Sequence, residues 1–426
     1  MRKNLFSISA LLLGTLFLLA GNGLHGLVLP LRGTQEGFSP TSLGLLGTGW
    51  ATGFVVGCIL APRLVRRIGH VRAFSAAAAT IAIIALATGL IIHPIAWIAL
   101  RVITGFGLAA AFMIIESWLN ERATNQTRGM VFSLYMTVTY VGIVAGQMSV
   151  ALGDTANSTF FMVAGILYCL ALLPTTISTA SSPAPLSQVK LDLPLLYRNS
   201  PISFIAILLV GMANGAFGTL APVFGDEVGL SGATIATLMS VTIFSGAIMQ
   251  FPAGRLSDRM DRRYVLAGIS AIAGASGLAL FVLAPDNMGT LFAIISLYGA
   301  MSYTLYSIIV AHANDYAEAD QFVAVSSGLL LLYGIGTIIG PTIGGIIMSG
   351  NTPYMLFALT GAAHISIAVY ALYRSTRRAA VPLRDRETFS SVPASRSATP
   401  EAIALDPRAN IDEPVDGNEN GFEPGK

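Results

Sequence analysis

The sequence predicts an all-α polytopic membrane protein with twelve transmembrane helices in two pseudo-symmetric six-helix bundles. Three observations support this fold class: an apolar composition, a series of apolar runs that each match the thickness of a bilayer, and a motif that occurs twice. Hydrophobic residues make up 54% of the chain and charged residues only 11%, with a mean hydropathy of +0.70. A soluble domain carries about 25% charged residues, so this chain would aggregate in water and suits lipid.

Each predicted helix corresponds to one apolar run, because a transmembrane helix needs roughly 20 apolar residues. The first run resembles a signal peptide, but it continues to about Pro30 and has no convincing small-residue cleavage site, so we predict a span there. The twelve predicted spans are 6–30, 41–62, 73–92, 95–117, 129–152, 158–178, 202–224, 232–253, 264–284, 289–311, 323–348 and 354–373.

The spans divide the chain into four parts. Residues 1–178 form the N-terminal six-helix bundle and residues 202–373 the C-terminal one. Residues 179–201, rich in serine and proline, form a cytoplasmic connector. Residues 374–426 carry many charges and little apolar pattern, so we predict a disordered cytoplasmic tail.

Positive charge predicts the orientation. If the loops alternate between the two sides, 22 of the 24 lysines and arginines fall on the side of the N-terminus. Cytoplasmic loops carry the excess of lysine and arginine. We therefore predict a plasma membrane protein with both termini in the cytoplasm.

The two halves repeat each other. Asn22–Pro30, in predicted span 1, and Asn214–Pro222, in predicted span 7, share the pattern N-G-x-x-G-x-x-x-P at an offset of 192 residues. The basic loop at Arg67 and the loop at Arg259 are related by the same offset. Two matches at one offset indicate duplication, and parallel repeats of this kind are typical of one large transporter class.

Three motifs resemble those of the major facilitator superfamily. Residues 254–263 (GRLSDRMDRR) resemble its G-x-L-x-D-R-x-G-R-R loop, Arg101–Gly105 its R-x-x-x-G element, and residues 336–345 (GTIIGPTIGG) its G-x-x-x-G-P-x-x-G-G element. The stretch Glu116–Arg122, together with the basic loop at 63–72, is similar to the YcaD-type branch. The resemblance covers about residues 5–375, and it implies a bacterial inner-membrane secondary transporter that works by alternating access.

The first half departs from the family pattern. In the family, the stronger loop motif lies between helices 2 and 3, whereas here Arg66 occupies the position of its acid and Pro62 that of its leading glycine. We therefore expect the gating role of that acid to lie in the second half, at Asp258. The predicted gating latch of the second half comprises Gly254, Asp258, Arg259, Arg262 and Arg263.

Arg101 is the strongest candidate for a substrate contact. It lies about 9 Å inside its helix at roughly 1.5 Å per residue, where an arginine costs about 2.5–3.5 kcal/mol. It must therefore face the bundle interior or a wet cavity. It either holds an anionic group or makes a structural hydrogen bond to helix-end carbonyls.

Glu116 lies near the cytoplasmic boundary on the same predicted helix. We expect it to form an ion pair with the basic loop, at Arg66, Arg67 or Arg72, and so to latch one conformation. The alternative is a direct role as a proton carrier.

Other polar residues and several glycines complete the predicted site. His25 is a candidate for proton coupling, since histidine titrates near neutral pH, although a lone histidine on an apolar helix is more often simply hydrogen-bonded. Further candidates for the substrate cavity are Asn22, Asn214, Gln147, Tyr140 and Tyr303. Glycines spaced four apart predict close helix packing, and with one proline they are Gly49, Gly53, Gly57, Gly142, Gly146, Gly336, Gly340, Pro341 and Gly344.

These features predict a secondary transporter for a small organic solute, with proton-coupled efflux as an antiporter as the first hypothesis. Uptake or facilitated transport of a small anionic metabolite through an Arg101-containing cavity is the alternative. A non-transporting sensor or a membrane enzyme is the alternative of a different class, but the spans hold only scattered reactive side chains. The chain lacks the phosphate-binding motif G-x-x-x-x-G-K-[ST], so direct ATP hydrolysis is not expected.

The expected partners follow from the same pattern. They are the lipid bilayer, a small-molecule substrate and possible coupling protons, with no nucleic acid, no cofactor and no metal; we expect a monomer. Cys58 and Cys169 lie in apolar runs without C-x-x-C spacing, so we assign them no disulfide or metal role.

Overall fold

The computed structural model describes residues 2–124, 126–177, 191–318, 321–378, 381–382, 386, 389 and 399–404. Within these ranges the chain forms 15 α-helices and no β-strand. Most of the predicted connector and most of the predicted tail lie outside the described residues. The helices are α1 (Arg2–Gln35), α2 (Pro40–Ile68), α3 (His70–Leu90), α4 (Pro94–Arg122), α5 (Arg128–Met148), α6 (Thr159–Ile177), α7 (Leu193–Asn199), α8 (Pro201–Glu227), α9 (Gly232–Arg259), α10 (Arg262–Leu283), α11 (Met288–Ser302), α12 (Leu305–Asn314), α13 (Phe322–Met348), α14 (Met355–Ser375) and α15 (Pro400–Ala404).

Eleven helical segments in the described part of the chain are long and apolar enough to cross a membrane. Helices α11 and α12 together form one of them, Met288–Asn314. The sixth predicted span is a shorter apolar helix, Thr159–Pro174, so the twelfth crossing stays a prediction. The described part of the chain is thus all-helical, and its apolar helices are those of a multi-pass membrane protein.

The duplication extends to the way in which α2 and α9 begin. Ser39 and Ser231 are 192 residues apart, and each side chain accepts a hydrogen bond from the backbone N–H three residues later. Gly37 and Gly229 precede them with φ angles of 74° and 80°, in the left-handed region that glycine adopts without strain. The two halves therefore share local backbone geometry as well as the motifs predicted from the sequence.

Helix packing follows the predicted halves but also joins them. In the first half α1 packs against α5 and α6, while α4 packs against α2 and α3; in the second half α8 packs against α13 and α14, and α10 against α11 and α14. The contact between α2 and α13, which links the halves, is as extensive as that between α1 and α5. The larger apolar core cluster accordingly contains residues of both halves.

The connector and the tail contain ordered elements that the sequence analysis did not predict. Within the predicted connector, Asp192 accepts a hydrogen bond from Leu195 N and so caps the short helix α7. Within the predicted disordered tail, Pro400–Ala404 is helical, and α15 packs against α4 and α13. At these positions the structure differs from predicted disorder, because the segment has a buried surface to fold against.

Candidate functional site

A cavity of about 160 Å³ lies at the junction of the two halves. Its walls come from α1, α2, α4 and α5 of the first half and from α8, α9 and α13 of the second, with one residue at the break between α11 and α12. We call it the central cavity. Its wall includes six of the seven residues predicted to line a substrate cavity: Asn22, Arg101, Tyr140, Gln147, Asn214 and Tyr303. Their role in substrate binding stays a prediction.

Arg101 brings a positive charge to this cavity. It is the one charged residue among the described residues that line the cavity, and it is 9% exposed. Its guanidinium carbon lies 5.9 Å from the centroid of the Trp50 ring, which stacks on Phe54. A cation over an aromatic face is attracted by the ring quadrupole. The aromatic side chain therefore partly offsets the cost of placing the arginine inside the bundle.

His25 lies on the same helix as Asn22 but is not among the residues that line the central cavity. Its ring meets those of Phe161 and Tyr168 edge to face, at centroid distances of 5.9 and 6.4 Å, and is 1% exposed. The histidine thus faces α6 inside the first half. The structure separates it from the other predicted cavity residues, and its coupling role stays a prediction.

Asn214 links the cavity to a buried polar chain in the second half that the sequence analysis missed. Its side-chain amide lies 3.5 Å from the Tyr333 hydroxyl and 2.9 Å from the Ser302 hydroxyl. Ser302 is also 3.0 Å from Nε2 of His364, whose Nδ1 lies 2.6 Å from the backbone carbonyl oxygen of Thr360. Serine, tyrosine and threonine in apolar helices gave no distinguishing pattern, although the repeat did identify Asn214.

A second cavity, of about 190 Å³, lies between α2 and α13 toward the end of the molecule that holds the basic loops 63–72 and 254–263. We call this end the basic-loop end and this cavity the vestibule. Trp50 and Tyr333 line both cavities and therefore lie between them. The vestibule wall also includes Cys58, Arg66, Ser327 and Pro400.

At the opposite end, α2 and α13 close the central cavity by direct contact. Thr48 donates a hydrogen bond of 2.8 Å to the Ile338 carbonyl, and its hydroxyl lies 2.7 Å from that of Thr342. A Cβ atom on Gly44 would lie 2.2 Å from the Pro341 carbonyl oxygen. The backbones of these two helices, one from each half, therefore touch at this end.

The predicted glycines pack helices inside each half. A Cβ on Gly53 would lie 1.8 Å from the Val102 carbonyl on α4, and one on Gly340 would lie 2.0 Å from the Met212 carbonyl on α8. The sequence analysis predicted this close packing but not the partner helices; the contact between the halves uses Gly44, which it did not single out, against Pro341, which it did. The other predicted glycines likewise face helices of their own half, whereas the predicted Pro341 faces Gly44 of the other half; these glycines are Gly49, Gly57, Gly142, Gly146, Gly336 and Gly344.

Glu116 forms no ion pair with the basic loop in the described residues, in contrast to the predicted latch. Its side chain is 1% exposed, and Oε1 accepts a hydrogen bond of 2.7 Å from the Tyr135 hydroxyl. Oε2 accepts a second one from the hydroxyl of Thr399, in the tail. The acid therefore points into the protein, whereas Arg67 and Arg72 are exposed and Arg66 lines the vestibule.

The acid-bearing loop of the second half contains a linkage centred on Arg262. This side chain is 1% exposed and bridges Asp258, at 3.3 Å, and Asp315, at 2.9 Å. Asp315 follows α12, so the bridge ties the α9–α10 loop to the end of another helix. The sequence analysis identified Asp258 and Arg262 but missed Asp315, which lies outside the loop motif.

The rest of the predicted latch surrounds this bridge. Arg263 pairs with Asp261 at 2.6 Å. Partial burial alone raises the pKa of Asp261, but hydrogen bonds from Arg263 and its charge outweigh burial and hold the pKa below its usual value. Arg259 is exposed, and Gly254 lies against the ring of Phe389.

The sequence comparisons place the chain in one family of known proteins. The sequence profile of the Major Facilitator Superfamily matches residues 11–317 and 203–407. An "uncharacterized MFS-type transporter YcaD" of Escherichia coli O6:K15:H31 is 28% identical over 360 residues, covering 83% of this chain and 91% of the relative. The counterpart in Escherichia fergusonii is 27% identical over 387 residues, covering 88% and 97%. The predicted resemblance to this branch is confirmed.

Solved structures with the same fold include transporters of different solutes. The nucleoside transporter NupG superposes with a TM-score of 0.69 at 15% identity, covering 88% of this chain and 99% of that one. A bacterial homolog of the human lysosomal transporter Spinster, inward-facing and occupied, gives 0.68 at 18%, covering 89% and 97%. A D-xylose-proton symporter gives 0.64 at 16%, covering 89% and 98%. At these identities the comparison establishes the fold.

Proposed function

Because this chain belongs to the Major Facilitator Superfamily, we propose that it is a secondary transporter that moves a small organic solute through the central cavity by alternating access. The observation that carries the proposal is the cavity itself, which lies between the halves and presents Arg101, amides and aromatic rings to one space. The family and the curated relatives are transporters, which supports transport rather than enzymatic chemistry.

The two ends of the molecule support the alternating-access part. The opposite end is sealed by the α2–α13 contact, whereas a vestibule approaches the cavity from the basic-loop end. Transport would break the first contact and close the vestibule, as the halves rock about the site. The rocking bodies in this proposal are residues 1–178 and 202–373, and the chain works as a monomer.

The side chains around the cavity favour a solute with both an apolar, planar part and a polar part. Tyr140, Tyr303 and Trp50 offer ring faces or edges, and Asn22 and Gln147 offer amide donors and acceptors. Small-molecule sites combine apolar walls with a few polar groups that fix orientation. A drug-like or metabolite-sized organic solute meets this description.

A second candidate, an anionic metabolite, is favoured by one observation. Among the described lining residues, Arg101 is the single charge. A guanidinium presents a fork of donors that matches a carboxylate or phosphate. In this version the solute's negative charge would sit beside Arg101 and the Trp50 ring.

Proton coupling and export are the finer parts of the proposal. Two buried groups support coupling: Glu116, held by hydroxyl groups, and His364, connected to the cavity through Ser302 and Asn214. The count of positive residues at the basic-loop end supports a cytoplasmic location for that end. Solute would then enter the cavity from the cytoplasm and leave at the opposite end, in a bacterial inner membrane.

Flux into proteoliposomes tests the proposal. Purified protein is screened against a panel of nucleosides, sugars, organic acids and amphipathic drugs, with and without a pH gradient. We expect at least one solute to show saturable flux that Arg101→Gln abolishes and Arg32→Gln preserves, since Arg32 pairs with Glu36 away from the cavity. Identical flux in the Arg101→Gln variant would refute the cavity assignment, and flux indifferent to the gradient would remove proton coupling.

A further inference from the structure

The tail returns to the vestibule and contacts a buried acid beside it. Thr399 is 0% exposed and donates a hydrogen bond to Oε2 of Glu116. The next residue, Pro400, lines the vestibule together with Cys58 and Arg66 of α2. Glu401 is also buried, at 7% exposure. Thr399 and Glu401 are therefore buried on either side of Pro400, which is half-buried and lies on the vestibule wall.

The seated segment touches both halves. Helix α15, which begins at Pro400, packs against α4 of the first half and against α13 of the second. Its position at the basic-loop end mirrors, across the cavity, the α2–α13 contact that seals the opposite end. A body wedged between α4 and α13 keeps these two helices apart.

The tail is also held upstream, on the acid-bearing loop. Phe389 donates a backbone hydrogen bond of 3.0 Å to Asp258, and its ring lies against Gly254. Arg386 donates a hydrogen bond of 2.5 Å to the Met260 carbonyl. The nearer of these contacts, at Phe389, holds the chain ten residues before Thr399. A ten-residue stretch can span up to about 33–36 Å, which restricts the segment to the neighbourhood of the vestibule and raises its effective concentration there.

We propose that residues 399–404 are an intramolecular plug that docks on Glu116 beside the vestibule, blocks exchange between the central cavity and the basic-loop end, and leaves before the halves close that end. The docking and blocking parts stand on the contacts above. The requirement to leave rests on the proposed alternating access. The partner of the vestibule surface is thus a named segment of this chain.

The hydrogen bond between Thr399 and Glu116 is the specific element of docking. Tyr135 occupies one carboxylate oxygen of Glu116 and Thr399 the other. Withdrawal of the plug leaves the second oxygen without this partner, so another donor must replace it. A buried hydrogen-bonding group that loses its partner is destabilised. We therefore expect loss of the Thr399 hydroxyl alone to raise the population of the undocked plug about tenfold.

Cys58 is a native reporter of the plug, because it lines the vestibule beside Pro400. In a Cys169→Ser background it is the one remaining thiol of the chain. The experiment measures the rate at which a water-soluble maleimide modifies Cys58 in purified full-length protein. We expect deletion of residues 399–404 to raise the rate more than tenfold and Thr399→Val to raise it about tenfold.

Two controls make the result specific. Deletion of residues 415–420, which removes a segment of the same length nearer the C-terminus, should leave the rate unchanged. A second reporter, Ser327→Cys in a chain that also carries Cys58→Ser, tests the opposite wall of the vestibule on α13. A synthetic peptide of residues 396–404 should restore protection to the chain without the plug, whereas a scrambled peptide should not.

The outcomes separate this proposal from the proposed function. Equal modification of both reporters in the intact and plug-deleted chains, including no modification of either, would overturn the plug. Protection that disappears with the plug supports it even if no solute in the flux panel is transported. Where a transported solute is known, the plug-deleted chain should transport it faster, and slower transport would overturn the blocking role.

Discussion

Nε2 of His364 lies 3.0 Å from the hydroxyl of Ser302, and this contact brings a buried imidazole into connection with the wall of the central cavity. Ser302 is in turn 2.9 Å from the side-chain amide of Asn214, which lines the cavity. His364 is 0% exposed. The serine therefore provides a hydrogen-bonded link between the cavity and the imidazole.

The hydrogen-bond donors among His364, Ser302 and Asn214 can be counted. Nδ1 of His364 faces the Thr360 carbonyl, which only accepts, so Nδ1 carries a proton. If Ser302 donates to Asn214, then Nε2 must also carry a proton, and the imidazole is charged. If the asparagine amide is turned and donates to Ser302, then Ser302 donates to Nε2, and the imidazole is neutral. Protonation of His364 and the orientation of Asn214 at the cavity are therefore linked.

Ser302→Ala should break this link. It leaves the His364 ring nitrogen and the Asn214 amide without a shared partner, and a buried unsatisfied polar group costs about 1–3 kcal/mol. We expect a lower melting temperature in detergent and, if protons drive transport through His364, weaker dependence of flux on the pH gradient. Ser276→Ala is the matched control, because the Ser276 hydroxyl bonds only a carbonyl of its own helix, that of Ile272. Equal melting temperatures of the two variants would contradict the link.

The two acids bridged by Arg262 should contribute differently to the stability of the folded protein. Asp258 is 36% exposed and 3.3 Å from the arginine, whereas Asp315 is 3% exposed and 2.9 Å away. Breaking an exposed ion pair costs up to about 1 kcal/mol, but breaking a buried one leaves an uncompensated charge and costs about 3–5 kcal/mol.

We therefore expect Asp315→Asn to lower the melting temperature and the yield of folded protein strongly, and Asp258→Asn to lower them slightly. Asp258→Asn should insert normally and reduce transport, because the sequence analysis assigns the gating role to Asp258. Both variants are compared by size-exclusion chromatography, thermal melting and flux. A larger loss of stability in Asp258→Asn than in Asp315→Asn would show that the structural ranking is wrong.

The seal at the opposite end should respond to a single methyl group. A Cβ on Gly44 meets the Pro341 carbonyl oxygen at 2.2 Å, and backbone atoms cannot move aside as a flexible side chain does. Gly44→Ala should therefore separate α2 from α13 and favour the conformation open at that end. The control is Gly268→Ala, because a Cβ at Gly268 has no neighbour within 4 Å.

The measurement is maleimide modification of a cysteine placed at Asn22, on the wall of the central cavity. With reagent added from the side of the opposite end, Gly44→Ala should raise the rate several-fold, and Gly268→Ala should not change it. An unchanged rate in Gly44→Ala, with a melting temperature like that of the parent, would argue against a seal formed by these two helices.

The sequence predicted the parts of this architecture that local pattern determines. Apolar length located the membrane helices, and the 192-residue offset paired Asn22 with Asn214, both of which line the central cavity. Burial cost alone placed Arg101 inside the bundle, where it is found beside Trp50. These inferences needed only helix geometry and the free-energy cost of burying polar groups in a membrane.

Long-range pairing was not available from the sequence. Glycine spacing predicted close packing but not the partner helix, and Gly53 faces α4 of its own half. Glu116 was expected to pair with nearby arginines, but its partner Thr399 is 283 residues away in the chain. A single serine such as Ser302 has no periodic signature, so the link to His364 emerged only from the fold.

Trp50 should contribute to solute binding through Arg101. Its ring lies 5.9 Å from the guanidinium carbon, and a cation–π contact contributes about 0.5–2 kcal/mol, with tryptophan the strongest partner. Trp50→Phe keeps a smaller ring and Trp50→Leu removes it. We expect the half-saturation concentration for flux to rise about twofold to fivefold in Trp50→Phe and more than tenfold in Trp50→Leu. Trp118→Phe is the control, since Trp118 is equally buried but packs against His70 and Phe74 outside the cavity. The same rise in Trp118→Phe would assign the effect to general loss of packing and contradict a role for Trp50 at the site.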